Sequence, residues 1–131
     1  MAPKVVEAVA EIRAAFPGHL VEVEPDGQSG AWVTVHDLAV GEQYEPTTTW
    51  MTFRITFQYP FADVYPHYCV VGLARKDKRP PGPWFHVQQT LQTPTKVMPA
   101  VMISRRSTRL DPSTDTAAAK LHKVLDWMRS Q

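Results

Sequence analysis

At 131 residues, with 44% hydrophobic and 21% charged side chains, the chain is long enough for one core and has a globular rather than a disordered composition. Fourteen basic against thirteen acidic residues leave a net charge of +1, too weak a field to draw the whole protein onto nucleic acid or an anionic membrane. One cysteine excludes an internal disulfide, and no apolar run approaches the roughly 20 residues of a membrane helix. The start Met1-Ala2-Pro3-Lys4 lacks the apolar stretch of a signal peptide, so a cytoplasmic protein is expected.

Val5, Val9, Ile12 and Phe16 recur at helical spacing, and Pro17-Gly18 ends the pattern, which predicts an amphipathic first helix. His19 to Glu24 alternates apolar and polar, Pro25 to Gly30 is a turn by composition, and Ala31 to His36 alternates again. Asp37 to Pro46 reads as a loop. Thr49 to Gln58 is the clearest strand, with Met51, Phe53, Ile55 and Phe57 on one side and Thr52, Arg54, Thr56 and Gln58 on the other. Strands in series joined by turns imply an antiparallel meander. Two Tyr-Pro pairs follow, Tyr59-Pro60 and Tyr65-Pro66, and then Tyr68 to Ala74 is apolar enough for a fourth strand. Prolines at 80, 81, 83, 94 and 99 predict a long irregular segment over 75–99. Asp111 as N-cap and Pro112 as first helical residue open a last helix whose apolar face is Ala117, Leu121, Val124, Leu125 and Met128. The expected fold is a single α+β domain over residues 1–131: helix, meander of about four strands, long irregular segment, C-terminal helix.

This order, with Phe53-Arg54-Ile55-Thr56-Phe57 running into Tyr59-Pro60 and a second Tyr65-Pro66 before Cys69-Val70-Val71, resembles the ubiquitin-conjugating-enzyme-like (UBC-like) fold over about residues 4–131. Divergent, bacterial-type members look closer than eukaryotic ones. The family's spacing back from Pro112 projects its tryptophan onto Leu110, the aliphatic residue onto Ile103 and the catalytic cysteine onto Met102. Its His-Pro-Asn tripeptide would fall near Gln92-Thr93-Pro94 and is absent. The resemblance implies work in a bacterial ubiquitin-like conjugation pathway, with a ubiquitin-like modifier, a ubiquitin-activating-enzyme-like protein and a JAB-type peptidase as companions.

Acyl transfer needs a nucleophile that accepts an acyl group and then loses it to an amine. Cys69, the only thiol, lies in an apolar strand-like run and reads as core. Ser104, two residues beyond the projected cysteine, is the alternative nucleophile, carrying the modifier as an oxyester. Arg105 and Arg106, with Arg109 nearby, are the candidates for oxyanion stabilisation or for receiving an acidic partner. His86, or His122 on the last helix, is the candidate base. The simpler reading of the same segment is a solvated polar loop. The five histidines have no short ligand spacing, so no metal is expected, and no phosphate loop, dinucleotide fingerprint or other cofactor motif occurs. Lys76-Asp77-Lys78-Arg79 reads as a solvated loop, and Trp84 and Phe85 as packing for the irregular segment or as a partner-binding lid. Three expectations stand side by side: a serine-based modifier transferase, a non-catalytic UBC-like adaptor, and an unrelated α+β protein-binding domain with no role in conjugation.

Overall fold

A computed structural model describes residues 1–131. Helix α1 (Pro3–Ala15) begins with its proline in the first turn, and it turns Val5, Ala8, Val9 and Ile12 inward at the spacing the sequence shows. The chain leaves it through Phe16 and the left-handed Gly18. Strands β1 (Val21–Pro25) and β2 (Ala31–Ala39) pair antiparallel, Val21 opposite Val35 and Val23 opposite Val33. Asp26 closes their turn: its carboxylate accepts the Gln28 and Gly30 backbone N–H groups at 2.7 and 2.8 Å and the Arg54 Nε at 2.9 Å. A Cβ on Gly30 would overlap that carboxylate and the Ile55 carbonyl, so only glycine fits there.

The loop expected over 37–46 is partly ordered. Strand β2 continues to Ala39 through a bulge after Val35, with Asp37 left-handed at φ 58°, and β3 (Tyr44–Glu45) follows. Strand β4 (Thr48–Ile55) buries Met51, Phe53 and Ile55 completely. Phe57 does not join them; it lies beyond the end of the strand and is 59% exposed. The fourth strand is much shorter than its apolar run suggests. It divides into β5 (His67–Cys69), which pairs with β4, and β6 (Ala74–Arg75), which pairs with β3.

The expected irregular segment over 75–99 is corrected. Its second half is a hairpin of β7 (Phe85–Gln92) and β8 (Val97–Ile103), and β8 also pairs with β5. The sheet therefore has six antiparallel strands, in the order β1-β2-β4-β5-β8-β7, rather than about four. Pro99 is tolerated because β5 reaches only residues 101–103 of β8, so at residue 99 the strand has a ladder on one side alone. The hairpin turn closes through the Thr93 N–H to the Lys96 carbonyl, at 2.9 Å. Its tip returns to the far edge of the sheet, where the Thr95 hydroxyl bonds Glu24 and Lys96 pairs with Glu22 at 3.4 Å. Strands at opposite ends of the sheet order thus meet, so the sheet curls across its outer face.

Helix α2 (Ala117–Arg129) starts five residues later than Asp111–Pro112 suggested. Thr116 is the N-cap, accepting the Ala119 N–H at 3.1 Å, while Asp111 forms a separate turn with Ser113 and Asp115. Its expected inward face is buried, including Leu121, Val124, Leu125 and Met128. Two tyrosines hold its ends: the Tyr59 hydroxyl accepts the Ala117 N–H at 3.2 Å, and the Tyr44 hydroxyl donates to the Met128 carbonyl at 2.8 Å. Both helices and the inner sheet face share one core of 28 buried residues, a two-layer α+β arrangement.

Candidate functional site

On β7 and β8, Phe85 faces Ile103 and His86 faces Met102, and the Ser104 N–H extends the ladder to the Trp84 carbonyl at 3.0 Å. Phe85 and Ile103 point into the core. Trp84, His86, Met102 and Ser104 then share the outer face, and His86 and Ser104 are diagonal neighbours across the two strands. His86 Nε2 lies 2.9 Å from Ser104 Oγ. With the imidazole proton on Nδ1, Nε2 accepts from the hydroxyl, the arrangement a general base requires. Both side chains are half-buried.

The arginines divide. Tyr65, Trp84, Ser104, Arg106, Ser107 and Thr108 line one depression, so Arg106 shares the space of the serine. Its guanidinium lies 4.6 Å from the Tyr65 ring centre. Arg105 points to the other side, over Trp127 of α2 at 4.7 Å and Trp84 at 5.4 Å, and lines a neighbouring depression with Arg109 and Lys123. His122 is not part of this site. It stacks on Phe16 at 4.4 Å, against the end of α1.

The segment leaving β8 is fixed by a cluster that the sequence reading did not single out. Asp63, between the two Tyr-Pro pairs, accepts the Ser107 N–H at 2.6 Å, the Ser107 hydroxyl at 3.0 Å and Lys120 Nζ at 3.2 Å; Lys120 also reaches Ser107 Oγ at 3.0 Å. Burial acts to raise the pKa of Asp63, but the Ser107 N–H, the Lys120 charge and the Ser107 hydroxyl together outweigh it and hold the carboxyl below its ordinary value. Burial lowers the pKa of Lys120, against the pull of Asp63. One signal was present: Lys120 falls on the apolar stripe of α2, between Ala117 and Leu121, where a charge needs a buried partner.

Beneath this cluster, His67 on β5 is fully buried against Phe53, ring centres 5.0 Å apart, and neither ring nitrogen has a partner. Burial pushes its pKa down to about 3, with Lys120 adding to the fall and Asp63 opposing it. Cys69, two residues on, has no exposed surface, and burial pushes its thiol up to about 12. It is a core residue. Met102, the position projected for the family's cysteine, lies within β8 between Tyr68 and His86, whereas Ser104 stands where the strand ends.

The remaining histidines are held singly, His19 Nδ1 at the His36 carbonyl and His36 Nε2 at Glu22, and no three of the His, Cys, Asp and Glu side chains converge as metal ligands. No helix is long and apolar enough to cross a membrane. No protein-family model matches the chain, and neither do any curated protein sequences or solved structures at a significant level.

Proposed function

We propose that the chain is a serine-based acyl carrier of a ubiquitin-like conjugation pathway. The observation that carries this reading is the 2.9 Å contact between His86 Nε2 and Ser104 Oγ at the open end of β8. In the proposed step, Ser104 Oγ gives its proton to His86 and attacks the carbonyl carbon of a thioester-linked modifier. The thiolate leaves and takes the proton from the imidazolium, so an oxyester forms and His86 returns to its neutral state. Arg106, which lines the same depression, is the cation assigned in this step to the charge that develops on the carbonyl oxygen. Attack by an acceptor amine then releases the modifier as an amide and restores the serine hydroxyl.

The pathway rests on the resemblance of element order: a first helix, a meander leading into Tyr59-Pro60, and a C-terminal helix packed on the same sheet face. The test is incubation with a ubiquitin-like modifier, its activating enzyme and ATP, read by intact mass. The expected product is a covalent adduct that survives thiol reductant, is cleaved by hydroxylamine, and is lost in Ser104→Ala. Absence of any adduct sinks the carrier reading.

One observation favours a non-catalytic binding domain instead. Strand β8 is hydrogen-bonded into the sheet on both sides where the resemblance places an irregular active-site segment. On that reading Trp84, 43% exposed, and the adjoining arginines are a docking surface. Stable co-purification with modifier or activating enzyme, without an adduct, selects an adaptor; no interaction with either selects a domain outside conjugation.

A further inference from the structure

Next to the serine, the segment 105–109 and α2 border a second, open depression of about 290 Å³, lined by Arg105, Arg106, Arg109, Lys120 and Lys123, with Asp115 the one carboxylate. The depression is open to solvent and has room for a group of several heavy atoms. Its acidic neighbours are already engaged. Asp63 is held by Lys120 and Ser107, and Asp115 by Lys123 at 3.4 Å and by the Asp111 N–H at 2.8 Å. Arg105, Arg106 and Arg109 form no ion pair at all.

Three guanidinium charges without counter-charges within five residues are conspicuous in a protein whose net charge is only +1. Two of the three are held against aromatic faces, and Ser107 ties the segment between them and Arg109 to Asp63 and Lys120. Arg105 and Arg106 are therefore pre-positioned before any ligand arrives, and Arg109 stands on the same tethered segment. We infer that this depression binds a small phosphoryl-bearing molecule, a phosphate ester or diphosphate. Guanidinium forks match phosphate oxygens two at a time, and a multiply charged phosphoryl group matches three unneutralised cations better than a single carboxylate does. Nucleic acid fits less well, because thirteen acidic residues against fourteen basic ones leave no excess for a continuous basic track beyond the depression.

The inference does not depend on Ser104 carrying an acyl group, and the adduct experiment uses a different readout. The probe is inorganic pyrophosphate, titrated calorimetrically into the full chain, with citrate at matched ionic strength as the carboxylate comparator. The expected result is saturable 1:1 binding that weakens as salt rises, is at least tenfold tighter than citrate, and is at least tenfold weaker in the Arg109→Gln/Lys123→Gln variant. Both substituted side chains are exposed, and an unchanged melting temperature without ligand shows that the fold is intact. Arg109→Lys keeps the charge but loses the fork, and is expected to fall between the two. No saturable binding, citrate binding as tight as pyrophosphate, or binding unaltered in the double variant would overturn the inference.

Discussion

Cys69 and Ser104 lie on neighbouring strands, and only one of them is placed to react. Cys69 is the last residue of β5, held between Met51 and Val101 of the strands on either side, with no exposed surface and a thiol pushed up to about 12. Ser104 sits where β8 runs out, half-buried, with an imidazole on its oxygen. By residue type the thiol is the better nucleophile, but burial withholds the thiolate that would do the work. Position in the sheet outweighs intrinsic chemistry here. The sealed region governs stability, and the open one is available for function.

The largest expected effect belongs to the sealed region. The folded pKa of His67 lies near 3, below the ordinary value of 6.5, so between those limits the unfolded chain binds more protons. Stability is therefore full above about pH 6.5 and falls as the pH drops, by up to ~1.4 kcal/mol per pH unit. Urea denaturation between neutral pH and about pH 4.5 should show this slope, and His67→Leu should flatten it. Next is Asp63→Ala, which leaves Lys120, with 9% of its side chain exposed, without a counter-charge. A loss of about 2–3 kcal/mol is expected at neutral pH, and adding Lys120→Met should recover most of it.

Moving the thiol sharpens the comparison further. In Ser104→Cys, native alkylation should occur at position 104 alone, because burial leaves Cys69 a thiolate fraction on the order of 10³-fold smaller than an ordinary thiol. Labelling of Cys69 before unfolding would contradict the comparison. The smallest stability effect is that of Ser104→Ala, about 0.5 kcal/mol or less by the same denaturation assay, since both partners of the lost hydrogen bond reach solvent.

The open region was also the harder one to read from sequence. Alternation over His19–Glu24, Ala31–His36 and Thr49–Gln58 marks strands with one buried face, and these appear as β1, β2 and β4, with ends shifted by up to three residues. Strands β7 and β8 were hidden because Pro94 and Pro99 suggest irregular chain, although one sits in the hairpin turn and the other beyond the reach of β5. The start of α2 was misplaced because Asp111, Ser113, Thr114 and Thr116 all satisfy the chemistry of an N-cap, and tertiary packing through Tyr59 selects Thr116. The residue types of His86 and Ser104 suit a base and a nucleophile, but only the hairpin register makes them neighbours. Asp63, Ser107 and Lys120 come from three distant stretches of chain, and of the three only the lysine on an apolar stripe gave notice.

The most direct test of the open site is acetylation of the folded protein by p-nitrophenyl acetate, with the modified residue located by peptide mass. The account predicts one acetyl group, on Ser104, forming about 10²-fold more slowly in His86→Gln. Acetyl found elsewhere, or on Ser104 at a rate indifferent to His86, would contradict it.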